Sequence, residues 1–185
     1  MVTNNYYRAY TMEYGTFVGL CWSAFFLSYV YGLVQGSVIG ILLCFAFCAF
    51  SFVLPFGLAT RLSRRVSEDG GKLSYWQGLI FSFSMFMYAC LMNGLIIFAY
   101  FELIDGGSLV NTLIDMLSLS DIKSMYTQMG LSSQYKEVID MLDEVAGLGS
   151  FEKTLLLFNN NFTWGIFMSF LVAIPASWKH KIINK

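Results

Sequence analysis

The sequence predicts an all-α integral membrane protein with four transmembrane helices and a short-helical external segment between helices 3 and 4. The first observation behind this prediction is composition, because the chain is 57% hydrophobic and 12% charged, whereas a soluble domain is about 25% charged. The second is a set of four long runs that contain no Asp, Glu, Lys, Arg or His. A bilayer core of about 30 Å is crossed by about 20 apolar helical residues, and each run reaches that length.

The four runs predict transmembrane helices over about residues 14–33, 37–59, 73–101 and 155–178, within a single membrane domain covering 1–185. Only a tight turn joins the first run to the second, so these two helices are expected to form an antiparallel hairpin. The first run is too long and too aromatic for a cleaved signal peptide, and we interpret it as an uncleaved anchor.

Small residues recur every four positions on three of these helices, which predicts close contact between helix backbones. They are Gly15, Gly19 and Ser23 on helix 1, Gly36, Gly40, Cys44 and Cys48 on helix 2, and Gly78, Ser82, Cys90 and Gly94 on helix 3. Packing within one bundle is the preferred interpretation, and a homodimer seam is the alternative. The cysteines are interpreted as small buried side chains, since a zinc site would need further ligands.

The third observation is the distribution of Lys and Arg, which predicts orientation. Eight of the 11 basic residues fall on the side of the two termini, and loops rich in Lys and Arg face the cytoplasm. We therefore expect a multi-pass membrane protein with both termini cytoplasmic and 102–154 external. The side chains that set this topology include Arg61, Arg64 and Arg65 after helix 2, and Lys179 and Lys181 after helix 4.

Aromatic residues near the ends of the runs are interpreted as interfacial belts, where amphipathic rings sit at the headgroup level. On this interpretation Tyr14, Tyr75 and Trp76 mark the cytoplasmic face, and Tyr100 and Phe101 mark the outer face.

The external segment 102–154 is too long for a simple connection and has its own helical periodicity. Apolar residues recur at helical spacing over 135–146, after Ser132 or Ser133 as a cap and before Gly147 and Gly149 as an end. A shorter helix is expected over 109–117 and a further turn or two over 121–129. These helices either pack on one another and the headgroups, or form a docking groove for a protein partner or a lipid tail.

Three adjacent asparagines, Asn159, Asn160 and Asn161, interrupt the outer part of helix 4. Their amides need hydrogen-bond partners at membrane depth. The preferred interpretation is that they mark the outer interface, with the true span starting near Phe162. The alternative is a polar pocket that faces Asn93 and the external segment.

No catalytic or metal-binding constellation is visible in the sequence, and no cofactor is expected. The nearest approach to paired carboxylates is Glu102 with Asp105 just outside helix 3, and such a pair is expected to be solvated. The chain also lacks a basic tract for nucleic acid. We therefore expect a protein that is not an enzyme and does not bind nucleic acid.

Residues 71–78 read GKLSYWQG and enter helix 3, and Ile104 and Asp105 leave it. With the Met- and acid-rich external segment and the basic end of helix 4, this arrangement resembles a bacterial family known as domain of unknown function 4199 over essentially the whole chain. The resemblance implies a four-helix inner-membrane protein without an assigned activity, and it hints at envelope glycan or lipid work.

The sequence thus favours a small non-enzymatic polytopic protein that acts as an accessory or interaction subunit. The family resemblance implies that this subunit works in envelope biogenesis in the bacterial cytoplasmic (inner) membrane. It would bind a protein partner or membrane lipid through its external helices. The predicted contact residues are Tyr135, Val138, Leu142 and Val145, with Asn159, Asn160 and Asn161 beneath them. The alternative is a small carrier or lipid-flipping protein that works as a homo-oligomer with the asparagines in its path.

Overall fold

A computed structural model of the chain describes residues 4–68 and 71–177. Within these ranges the protein is all-helical and has no strand, as the sequence predicts. Four helices in these described ranges are long and apolar enough to cross a membrane. They are α1 (Asn4–Val34), α2 (Val38–Glu68), α3 (Tyr75–Tyr100) with a π-helical continuation over Phe101–Asp105, and α7 (Ser150–Ala176). Three short helices, α4 (Ser108–Leu117), α5 (Ser120–Gln128) and α6 (Ser132–Ala146), follow α3, and we call them the cap.

The long helices extend beyond the apolar runs that predict them. The run at 14–33 lies in a helix that begins at Asn4, and the run at 37–59 lies in a helix that continues to Glu68. Helix α7 begins at Ser150, several residues before the predicted start. The difference has a simple cause, because apolarity marks the part of a helix that suits lipid, while backbone hydrogen bonding continues into polar sequence.

Helices α1 and α2 form the predicted antiparallel hairpin. Gly36 adopts a φ of 60° in the turn, a left-handed conformation that glycine takes without steric cost, and the Ser37 N–H donates to the Gly32 carbonyl oxygen at 3.1 Å. Beyond the turn the two backbones touch, because a Cβ placed on Gly40 would lie 2.6 Å from the Gly32 nitrogen.

Helix α3 lies between α1 and α7, and glycines allow both contacts. A Cβ on Gly19 of α1 would lie 2.9 Å from the Ala89 carbonyl oxygen, and one on Gly78 of α3 would lie 3.0 Å from the Ala173 carbonyl oxygen. Gly15 meets α3 in the same way. These positions therefore serve packing within one chain, which confirms the preferred interpretation of the small residues on helices 1 and 3.

The terminal end of the bundle is the end that holds the N-terminal part of α1, the last turns of α2 and α7 and the start of α3. All four long helices contribute to a buried apolar cluster there. Its fully buried members include Val18 of α1, Leu62 of α2, Met85 of α3 and Val172 of α7. The four helices are therefore packed around a continuous core at this end.

Three aromatic residues that the sequence places in interfacial belts are instead buried. Tyr14 packs against Phe81 with its ring centroid 6.2 Å away. Tyr100 and Phe101 pack around Phe26, at centroid distances of 5.5 and 6.2 Å, and form a second core beneath the cap. Because the helices run on past the apolar runs, these aromatic rings lie within the bundle and not at its edge.

Asp105 is a structural anchor for the cap and is not solvated as expected. Its buried carboxylate accepts four hydrogen bonds. The donors are the hydroxyls of Tyr100 (2.8 Å) and Ser108 (3.2 Å) and the backbone N–H groups of Gly107 (3.1 Å) and Leu109 (2.9 Å). These bonds tie the end of α3 to the first turn of α4. Glu102, its expected partner, is exposed.

Helix α6 covers the predicted range and ends at Gly147 as expected. Its first turn begins at Ser132, but it has no side-chain cap, since the Ser133 hydroxyl donates to the neighbouring Gln134 side chain at 2.9 Å. The Tyr135 hydroxyl instead donates to the Leu117 carbonyl oxygen at 3.3 Å, which joins α6 to the end of α4.

The segment 71–78 begins α3 and attaches it to α7. The Ser74 hydroxyl accepts from the Gln77 N–H at 3.3 Å, and the Gln77 side chain accepts from the Ser74 N–H at 2.9 Å, which is a capping box. The Tyr75 hydroxyl donates to the Phe170 carbonyl oxygen at 3.3 Å. The segment therefore has a structural role in this chain.

Candidate functional site

A cavity of about 690 Å³ lies between the four long helices, beneath α4 and α6 of the cap. This volume falls within the range of about 300–1,000 Å³ that small-molecule sites occupy. Most of the side chains that line the cavity are aromatic or aliphatic. The cavity is therefore suited to an apolar or amphipathic ligand.

Helices α1 and α3 form the rear wall of the cavity. Trp22 of α1 stacks on Phe86 of α3, with ring centroids 5.8 Å apart and an interplanar angle of 23°. Phe26 and Ile97 continue the wall toward the cap, and both are buried. Because α1 and α3 are held together by glycine contacts, this wall is fixed by the backbone.

The cavity opens sideways between α2 and α7. Four of its lining side chains are exposed, and all four belong to these two helices: Phe52 of α2, and Leu156, Asn160 and Trp164 of α7. The exposed fraction is 52% for Phe52 and 57% for Trp164. In a protein that spans a membrane, such an opening faces lipid.

The cap forms the roof of the cavity and turns its apolar face inward. Of the four predicted contact residues on α6, Leu142 and Val145 line the cavity. Tyr135 and Val138 lie on the same inward side and are half-buried without lining it. The face that the sequence singles out for a partner or a lipid is therefore directed at the bundle.

The asparagines are divided between the cavity and the exterior. Asn160 and Asn161 line the cavity, whereas Asn159 is exposed and does not. Helix α7 is continuous from Ser150, so the triplet lies inside the helix and does not interrupt it; a start of the membrane span near Phe162 stays a prediction. The placement agrees with the alternative, a polar pocket that includes Asn93.

Asn93 lies in the rear wall with 2% of its surface exposed. The single proton of the Ser23 hydroxyl is shared between the Gly19 carbonyl oxygen at 2.8 Å and the Asn93 Oδ1 at 3.1 Å. The Asn93 NH₂ group has no hydrogen-bond partner among residues 8–68 and 71–177. It is therefore a donor available to a ligand in the cavity.

Among the described residues that line the cavity, Lys153 carries the charge, and it is not one of the site residues that the sequence predicts. Lys153 is 9% exposed, and no Asp or Glu from the described part of the chain lines the cavity with it. In the sequence it was counted within the external segment. Its spacing from Leu157, Asn160 and Trp164, which places all four on one helical face, is the signal that could have revealed it.

The arginines predicted to set topology lie at the terminal end. Arg61, Arg64 and Arg65 are exposed on the last turns of α2, and the Arg65 guanidinium carbon lies 4.8 Å from the centroid of the Tyr10 ring. Lys179 and Lys181 lie outside the described residues.

Comparison with known proteins identifies a family for this chain. No curated protein and no solved structure matches the chain. A family model described as "Protein of unknown function (DUF4199)" matches residues 13–181, which include all the residues that line the cavity. Because the match covers almost the entire chain, the protein belongs to the DUF4199 family, as its resemblance indicates.

Proposed function

We propose that this chain is a small non-enzymatic membrane protein that binds a lipid in the cavity between α2 and α7. The observation that carries the proposal is the sideways opening of the cavity, since its exposed lining side chains all lie on the two helices that border the gap. A lipid could enter from the surrounding membrane without crossing water. The apolar lining would hold its chain.

We further propose that the protein lies in a bacterial cytoplasmic membrane with both termini in the cytoplasm. The exposed arginines on the last turns of α2 support this orientation. The cap then faces outward, and the cavity lies in the outer half of the membrane. An accessory role in envelope biogenesis is part of the proposal and follows from the family resemblance.

The geometry favours lipid binding over two other roles, which are a subunit that binds a protein partner through α6 and a carrier. A protein partner could reach the predicted face of α6 only if α6 moved away from the bundle, because Leu142 and Val145 face the cavity. A carrier needs access from both sides of the membrane in turn, but the terminal end is filled by the buried cluster that includes Leu62 and Met85. A homo-oligomeric carrier is therefore the second candidate.

Native mass spectrometry of the protein extracted gently from its own membrane tests the proposal. We expect the wild-type protein to retain lipid and Asn160→Trp, which fills the cavity, to lose it. The matched control is Asn159→Trp, because Asn159 is the adjacent amide and does not line the cavity. Wild-type protein that carries no lipid, or Asn160→Trp that retains as much as the wild type, would contradict the proposal.

A stoichiometric protein that remains with the lipid-free wild type would instead support an interaction subunit. Val138→Asp and Leu142→Asp together would then show whether the inward face of α6 contributes to that contact. Retention of lipid by the wild type with loss of a partner in this double variant would support an accessory protein that binds both.

A further inference from the structure

We infer that the lipid bound in the cavity is an anionic amphiphile whose acidic head pairs with the ammonium group of Lys153. This inference rests on the proposed function and specifies its ligand. Four observations carry it: the burial of Lys153, the lack of a partner for its charge, its place on α7, and the change from polar to apolar lining along that helix.

Lys153 is a mostly buried cation that lines the cavity and has no partner for its charge among the described residues. It is 9% exposed, and neither a hydrogen bond nor an ion pair joins its side chain to any residue in 8–68 or 71–177. Lysine is almost never buried in this way unless its charge is paired. The neighbouring carboxylate of Glu152 is exposed and accepts from the Gly149 N–H at 2.9 Å.

The location of Lys153 on α7 adds to the cost of its charge. The helix begins at Ser150, so Lys153 lies in the first turn, where the helix dipole disfavours a cation and favours an anion. An acidic group bound beside Lys153 would neutralise its charge and lie near the positive end of α7. The same anion would thus relieve both penalties.

The lining of the cavity changes character along α7 in the manner that an amphiphile requires. Lys153 lies nearest the cap, and Asn160 and Asn161 follow two turns later, about 10–12 Å along the axis at 1.5 Å per residue. Trp164 and Met168 continue the lining toward the middle of the bundle. An acidic head at Lys153 would therefore place an alkyl chain beside the asparagines and then against apolar side chains.

A lysine can also bury its alkyl stem while its charge reaches water. If the Lys153 charge reaches water in this way, the cavity should bind anionic and neutral lipids equally well. If Lys153 pairs with an acidic head, the bound lipid should be enriched in anionic species. An acidic head can come from a phospholipid or from a free fatty acid. The two share a negatively charged oxygen group, and they differ in mass.

The test uses the full chain reconstituted in bilayers of phosphatidylcholine with phosphatidylglycerol and palmitate, followed by native mass spectrometry of the lipid that stays bound. For the wild type we expect anionic species to be enriched about tenfold over their share of the bilayer. Lys153→Met should bring this enrichment close to one while zwitterionic lipid still binds. Lys123→Met removes an exposed cation of the cap and should retain the wild-type enrichment.

The mass of the bound lipid shows whether the acidic head belongs to a phospholipid or to a free fatty acid, because phosphatidylglycerol and palmitate differ in mass. If Lys153→Met does not fold, Lys153→Gln provides the same comparison with a polar side chain. Wild-type protein that binds phosphatidylcholine and phosphatidylglycerol in bulk proportion would overturn the inference and leave the proposed function standing. Unchanged enrichment in Lys153→Met or Lys153→Gln would also overturn it. Wild-type protein without any bound lipid would contradict both.

Discussion

The seam between α2 and α7 is closed at the terminal end of the bundle and open at the cap end. At the closed end Leu62 of α2 and Val172 of α7 are fully buried in the same cluster. At the open end Phe52 and Trp164 are more than half exposed and border the cavity. The same pair of helices thus provides stability at one end and an opening at the other, which indicates that the cavity is not a consequence of loose packing throughout.

The other described seams of the bundle keep contacts at the cap end. Helices α1 and α2 meet there through Gly32 and Gly40. Helices α1 and α3 meet through the rings of Phe26 and Tyr100, and α3 and α7 through Gly94 and Phe158. Pro55 of α2 lies between the closed and open ends, and a proline inside a helix removes one backbone hydrogen bond and commonly produces a kink. The opening is therefore confined to one pair of helices.

The largest expected effect concerns the closed end of the seam. Leu62→Ala removes a fully buried side chain and should lower the free energy of unfolding by about 2–5 kcal/mol. Phe52→Ala, at the open end of the same helix, should cost much less because Phe52 is 52% exposed. Unfolding of both variants in detergent measures the difference, and equal losses would remove the distinction between the two ends.

The next effect concerns the rear wall of the cavity. Gly19→Ala should destabilise the bundle by about 1–3 kcal/mol through overpacking, because the new Cβ would lie 2.9 Å from the Ala89 carbonyl oxygen and 2.8 Å from the Met92 Cβ. Gly57→Ala is the matched control on α2, where nothing lies within 4 Å of the added carbon. Thermal unfolding that ranks the two variants in the opposite order would contradict a backbone-fixed wall.

The third prediction concerns the roof of the cavity. Asp105→Asn weakens a buried group that accepts four hydrogen bonds. The substitution should lower the free energy of unfolding by about 1–3 kcal/mol. The loss should appear as faster hydrogen exchange in α4 with little change at the terminal end. Glu102→Gln, the exposed acid three residues earlier, should leave exchange unchanged. Uniform acceleration across the bundle would show that Asp105 does not act locally on the cap.

The smallest effect concerns helix capping. Ser74→Ala removes the capping box at the start of α3 and should cost about 1 kcal/mol. Ser132→Ala, at the start of α6, should cost less, because that helix has no side-chain cap. Unfolding measurements on both variants compare the losses of unfolding free energy. An equal loss would mean that Ser132 caps α6, which would contradict the absence of a side-chain cap at that helix start.

The long helices of the fold follow from the sequence because each apolar run is long enough to cross a membrane. The end of α6 at Gly147 and the hairpin of α1 with α2 are local features, and both were predicted correctly. The burial of Asp105, Tyr100 and Phe101 was not predicted, because it depends on how the cap folds back over the bundle.

The candidate site was only partly predictable. Asn160 and Asn161 were recognised as polar residues that need partners, and Leu142 and Val145 as an apolar face. These side chains line one cavity because α2 and α7 are separated at the cap end, and no local residue pattern predicts that separation. Lys153 was not predicted because it precedes the apolar run, and only its helical spacing from Leu157, Asn160 and Trp164 indicates that it belongs to α7.

The central claim is that lipid lies in the opening between α2 and α7, and photocrosslinking tests it most directly. Cells are supplied with a diazirine fatty acid, the protein is purified in detergent to remove loosely bound lipid, and the sample is irradiated before peptide mapping. We predict crosslinks concentrated at Phe52, Trp164 and Met168, which line the cavity. Crosslinks of equal density at Leu42 and Phe45, exposed residues of α2 that do not line the cavity, would contradict a bound lipid.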